Sequence, residues 1–145
     1  MLYLIKSITD EFFNRLTEDP VRPNIPYDIR VGNNRDVFVL KDEDNSVKAI
    51  TCVSYQDRIP KTETELFNVD HEPNVAVFYT IWSYKPGAGR DLILTTVNYI
   101  KSNKPSINRF ITLSPTTEMA RRFHLKNGAV VFRDNQETVN YEYVI

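Results

Sequence analysis

Glycine is scarce in this chain: four residues in 145, where average usage of about 7% would give roughly ten. A chain this sparing keeps glycine where no other residue fits the backbone. Gly87 and Gly89 stand two apart, Gly128 follows a helical pattern, and only Gly32 lies elsewhere. Cysteine is scarcer still. Cys52 is the only one, which excludes an internal disulfide, and its apolar neighbours from Ile50 to Val53 mark it as a buried small hydrophobe. With His71 and His124 as the only histidines, a structural zinc site lacks its ligands, and no metal is expected. No apolar run approaches the ~18 residues of a membrane span, and Met1–Lys6 is too short for the core of a secretory signal. The expectation is a soluble, cytoplasmic chain without membrane contact. Net charge is −1, without the basic excess of a nucleic-acid binder.

What is present suffices for one domain over residues 1–145: 41% hydrophobic and 12% aromatic residues make a real core. Leu2–Ile8 reads as a strand. Thr9 or Asp10 then caps a helix with Phe12, Phe13 and Leu16 on one face, stopped by Pro20. Pro20, Pro23 and Pro26 make a stiff loop. Asp36–Lys41 and Val47–Tyr55 form a hairpin around the polar turn 42–46. A connection broken by Pro60 and Pro73 spans 57–74, with a short amphipathic piece near Leu66 and Phe67. Val75–Trp82 is apolar throughout, the pattern of a central strand buried on both faces. A helix over 90–101 follows, with Ile93, Val97 and Ile100 on one face, then a strand over 109–113. Ser114 and Pro115 read as the N-cap and first residue of a second helix. Its buried stripe would be Met119, Ala120 and Phe123, and Asn127-Gly128 its C-terminal cap. Segments 129–133 and 138–144 make a closing hairpin. The fold class is α/β, a mixed sheet flanked by helices.

The segment Tyr84-Lys85-Pro86-Gly87-Ala88-Gly89-Arg90 lies between the apolar strand and the first helix. Glycines there let backbone N–H groups converge on a phosphate at the positive end of the helix, with Lys85 and Arg90 adding charge. No Gly-Lys-Ser/Thr ending follows, so the segment is no nucleotide P-loop. The position where a dinucleotide turn has its third glycine is Leu92.

Tyr84 to Gly89 matches the Gln/Arg-x-x-Gly-x-Gly/Ala loop of the GNAT acyl-CoA N-acyltransferases. Thr117-Glu118-Met119-Ala120-Arg121-Arg122-Phe123-His124 matches that family's Asn-x-x-Ala-x-x-Phe-Tyr helix, with Gly128-Ala129 in place of its Gly-Phe pair. The chain therefore resembles this family, most specifically over residues 75–129. The resemblance implies the family's central mixed sheet and direct transfer of an acetyl group from acetyl-CoA to an amine in a ternary complex. It implies that backbone along Phe78, Tyr79, Thr80, Ile81 and Trp82 holds the pantetheine arm where two strands splay apart. The pyrophosphate would rest on Lys85, Pro86, Gly87, Ala88, Gly89 and Arg90, and Thr117 would contact the arm.

Three departures stand out. Tyr84 replaces Gln or Arg, Thr117 replaces Asn, and His124 replaces the Tyr that protonates the leaving thiolate. His124 is the candidate acid. Asp70, His71, Glu72 and Glu118 are candidates for the base. The acidic residues of 57–74, with Asp42, Glu43 and Asp44, suggest a cationic acceptor drawn by charge. The family often pairs through its last strands, which makes 138–144 a candidate homodimer edge. The same departures fit an alternative, a non-catalytic CoA-binding or protein-interaction module on this fold.

Overall fold

The computed structural model describes residues 1–67 and 72–145. Eight strands form one sheet: β1 (Leu2–Ile5), β2 (Arg35–Lys41), β3 (Val47–Gln56), β4 (Val75–Ser83), β5 (Arg109–Thr112), β6 (Ser114–Pro115), β7 (Ala129–Asp134) and β8 (Thr138–Tyr143). Its order is β1-β2-β3-β4-β5-β8-β6, with β7 also paired to β8. Every pairing is antiparallel except β4–β5. A parallel pair needs a crossover, and α1 (Ala88–Asn103) supplies it. α2 (Glu118–Lys126) joins β6 to β7.

The two faces of the sheet carry separate cores. One packs Leu92, Ile93, Val97 and Ile100 of α1 on Phe38, Val53 and Phe78. The other packs Leu16, Ile25 and Leu66 on Val37, Cys52, Tyr79 and Ile111. As expected, β4 lies mid-sheet and is buried along most of its length, and the α1 stripe is 1% exposed or less.

Several expectations are corrected. β1 ends at Ile5, because the chain turns where the Asp10 amide donates to the Ser7 carbonyl (3.2 Å), leaving Ile8 exposed. The first expected helix is a 3-10 turn over Phe13–Glu18. The Asp10 carboxylate accepts from the Phe12 amide (2.9 Å) rather than capping an α-helix, and Pro20 leaves no room for more turns. Ser114 and Pro115 do not start α2; they form β6 beside Val139 and Thr138. The N-cap is Thr117, whose hydroxyl accepts from the Ala120 amide at 3.2 Å. The stripe on α2 also differs: Met119 is 80% exposed, and the buried residue is His124. Residues 138–144 form no free edge, since β8 runs between β5 and β7. The edge is β7, with Val130, Val131 and Phe132 exposed.

Candidate active site

Strands β4 and β5 pair only from Val75/Arg109 to Phe78/Thr112. The last bond runs from the Leu113 amide to the Phe78 carbonyl, 3.0 Å. Alternation along β5 makes residue 115 the next donor toward β4, and residue 115 is proline, which has no N–H. Ser114 turns the other way and pairs with β8. The ladder therefore stops, while β4 runs on to Ser83.

A register shift in β4 falls at the same place. Val53 pairs with Phe78 and Cys52 with Thr80, leaving Tyr79 as the extra residue of a bulge. Beyond it, Thr80 and Trp82 pair with β3, and the Tyr84 amide donates to the Lys48 carbonyl of that side (2.8 Å). The two-residue alternation then aims the N–H and C=O groups of Ile81 and Ser83 away from β3, into the gap.

A cavity of about 360 Å³ occupies the gap, within the size range of small-molecule sites. One wall is Phe78 to Ser83 of β4, and another is Leu113, Ser114 and Pro115. Thr117, Met119, Ala120, Phe123 and His124 approach from α2, Gly89 from α1, and Pro20 and Val21 from the proline-rich loop. At the rim, Gly87 takes φ +78° as the residue before α1, a conformation glycine adopts without penalty. Amides of a helix's first turn have no upstream carbonyl to meet, so those of Gly89 and Arg90 are available to an anion. Gly89 has a second duty: a Cβ there would lie 2.9 Å from the Phe123 ring, so its hydrogen leaves room for that ring.

His124 is 3% exposed, and its Nδ1 lies 2.7 Å from the Tyr143 hydroxyl. It stacks on Tyr141 at 5.0 Å between ring centroids. Burial pushes its pKa from 6.5 down to about 4, so the ring is neutral at pH 7. Among the described residues, no side chain that lines the cavity is a carboxylate. No group of three or more His, Cys, Asp or Glu side chains there is arranged to hold a metal ion.

No protein-family model and no curated protein matches this sequence. Solved structures do. Malonyl-CoA decarboxylase from Rhodopseudomonas palustris superposes with TM-score 0.81 at 18% identity, over 100% of this chain and 60% of that one. Tetrahymena GCN5 gives TM-score 0.66 at 12% identity, covering 99% and 94%. Arabidopsis thaliana NAA60, solved with a bisubstrate analogue, gives 0.63 at 13%, covering 100% and 99%.

The fold is that of the GNAT acetyltransferases.

The chain spans 60% or less of the malonyl-CoA decarboxylase chains it matches.

In this GNAT fold the expected site residues divide. Phe78, Tyr79, Thr80, Ile81, Trp82, Gly89, Thr117 and His124 meet around the cavity. Lys85, Pro86, Gly87 and Arg90 stay on the exposed rim, while Ala88 is buried against the core. Lys85 is held by the Asp42 carboxylate of the β2–β3 turn, which raises the lysine's pKa and lowers the aspartate's. Tyr84 accepts from Trp82 Nε1 (3.0 Å) and donates to Glu18, with Arg15 over its ring.

The acidic clusters are largely engaged. Asp42 holds Lys85 and sits 3.7 Å from Lys48, Glu63 faces Arg22, and Glu65 accepts from the Lys61 amide (2.8 Å). Of the base candidates, Glu118 is exposed and paired with Arg122, and Glu72 is exposed. Asp70 and His71 lie outside the described residues.

Sequence reasoning did not name Pro20, Val21, Ser83, Leu113, Ser114, Pro115, Met119, Ala120 or Phe123 as lining residues. Only Pro115 carried a signal, the missing N–H that ends the ladder.

Proposed function

We propose that the chain binds an acyl-CoA thioester and transfers the acyl group to an amine. The observation that carries this reading is the gap between β4 and β5, lined by unpaired β4 backbone and reaching the N-terminus of α1. The groups of Ile81 and Ser83 suit the amides of a pantetheine arm, because they satisfy backbone that the splay leaves open. The first-turn amides of α1 suit the pyrophosphate, joined by Arg90 and by Lys85 once it leaves Asp42. The Thr117 oxygen caps α2, which leaves its hydroxyl proton free to donate to the arm.

Transfer proceeds by attack of the amine nitrogen on the thioester carbonyl. A C–N bond forms, the C–S bond breaks, and the proton lost by nitrogen ends on sulfur. A backbone N–H facing the gap polarises the carbonyl oxygen, and alignment of the two reactants supplies much of the rate. His124 acts as a hydrogen-bond donor to sulfur rather than as the proton source. Its pKa of about 4 leaves almost no imidazolium at pH 7. The Tyr143 hydroxyl, kept protonated by burial, is hydrogen-bonded to Nδ1; as the donor there it would put the imidazole proton on Nε2. Asp42 and Glu63 are each paired with a cation, and the remaining acidic residues of the two clusters suit a cationic amine.

The lining also favours a second reading. A cavity wall without a carboxylate suits thioester chemistry that removes no proton from an acceptor. Loss of CO2 from a malonyl thioester is such a reaction, and the malonyl-CoA decarboxylase similarity supports it.

The test is thiol release from acetyl-CoA with a panel of amines, beside conversion of malonyl-CoA to acetyl-CoA. Release that depends on an amine supports transfer. Malonyl-CoA conversion without it supports the second reading. Saturable CoA binding with neither reaction supports a non-catalytic module.

A further inference from the structure

Arg22 lies on the proline-rich loop, on the face of the sheet opposite α1. Its Nε donates to the Tyr79 carbonyl (3.3 Å) and its Nη2 to the Leu113 carbonyl (2.9 Å). One acceptor is the bulge residue of β4, and the other is the last residue of β5's side to face it. The guanidinium thus stands where the next rungs of the β4–β5 ladder would have been. An arginine fork suits this place: two carbonyls left open by the splay are satisfied by one planar group.

The placement is held from several directions. The Asp19 carboxylate accepts from the Val21 amide (2.7 Å), the Arg22 amide (3.0 Å) and the Thr80 hydroxyl (2.8 Å), fastening the loop to β4. Arg30, fully buried, donates to Asp19 (2.7 Å) and to the Arg22 carbonyl (2.7 Å). Pro20 precedes this pair of residues and Pro23 follows it, so the backbone has little freedom. Pro20 and Val21 line the cavity, while the Arg22 side chain reaches past them to the point where the strands meet.

The geometry points to Arg22 as a specificity-determining residue: its guanidinium closes the apex of the β4–β5 gap and restricts the site to thioesters of short acyl groups. The inference rests on the acyl-CoA reading above and adds a limit on the acyl chain. A methylene pushed past the apex meets a cation tied to the Tyr79 and Leu113 carbonyls, and displacing it leaves both without that partner. Removing the side chain opens the apex toward the opposite face.

The test compares acetyl-CoA and hexanoyl-CoA binding by titration calorimetry in the full chain, Arg22→Ala, Arg22→Lys and Glu63→Gln. The unaltered chain is expected to favour acetyl-CoA. Arg22→Ala should move the ratio of the two Kd values toward hexanoyl-CoA by roughly tenfold or more, the scale of one or a few methylenes in a pocket. Arg22→Lys, which keeps the charge but cannot fork to two carbonyls, should move it the same way by less. Glu63→Gln removes the charge that faces Nη1 (3.4 Å) away from the apex and should leave the ratio unchanged. If Arg22→Ala does not fold, Arg22→Lys decides. A general loss of stability weakens both ligands alike and does not change the ratio. An unchanged ratio in folded variants that bind acetyl-CoA overturns the role of Arg22 and leaves the acyl-CoA reading standing. No binding of either ligand by the unaltered chain overturns both.

Discussion

Gly89 and Phe123 meet across the two helices of the site: a Cβ on Gly89 would lie 2.9 Å from the edge of the Phe123 ring. Gly89 belongs to the first turn of α1 and Phe123 to α2, and both line the cavity. The missing side chain leaves the Phe123 ring its place in the cavity wall.

Gly89→Val is therefore expected to displace the Phe123 ring, at a cost of about 1–3 kcal/mol in stability, and to lower CoA affinity. Shortening Phe123 to Ala in the same chain relieves the clash. A double-mutant cycle on unfolding free energy should show coupling of about 1 kcal/mol or more. Additive effects would mean the helices are not held by this contact. Gly87→Val tests the other glycine. Nothing crowds that position, but φ +78° strains any L side chain by roughly 1–2 kcal/mol.

His124 carries a pH signature. Its pKa is about 4 in the folded chain against 6.5 when free, so between those values the unfolded state binds more protons. Its contribution is present above pH 6.5 and is lost as pH falls toward 4, by about 3 kcal/mol in all. His124→Phe should flatten that part of the stability–pH curve, which calorimetry at pH 4.5 and 7 will read. Under the proposed mechanism the same variant binds CoA normally and turns over more slowly. Unchanged turnover would remove His124 from the chemistry.

Cys52 is fully buried beside Arg30, and burial pushes its thiol up to about 12. The thiolate is the reactive form, so the native chain should resist thiol reagents at pH 8. Denaturation should expose one titratable thiol. Rapid labelling of the native chain would show that β3 opens readily.

Asp19 and Arg30 form a fully buried ion pair at 2.7 Å. Asp19→Asn strands the guanidinium and is expected to cost about 3–5 kcal/mol. For a domain of this size that is a fall of about 10 °C or more in Tm. A small shift would mean that the carbonyls of Arg22 and Ile25, which also accept from Arg30, suffice to hold the charge.

Much of the frame was legible from local pattern. Continuous apolarity placed β4 in mid-sheet, the i, i+4, i+7 spacing picked the buried face of α1, and the glycines marked the turn before it. Of the residues singled out in the sequence, Phe78–Trp82 and Gly89 line the cavity. The site was not legible where a side chain meets a distant partner. Arg22 reads as an ordinary loop cation until Leu113, far along the chain, is brought beside it.

The sequence alone determined β4, α1 and the β2–β3 hairpin, because periodicity, proline and glycine act within a few residues. That β5 parts from β4 needed the register of the two strands, which puts Pro115, with no N–H, at the next donor position. The tertiary structure decided what each exposed or buried position meets. It made Met119 an open wall of the cavity, buried His124 among aromatic rings, tied Lys85 to Asp42 and placed β8 inside the sheet. Those outcomes depend on contacts between segments far apart in sequence. Local patterning states that a face is apolar or a group is charged; only the packed chain supplies its partner.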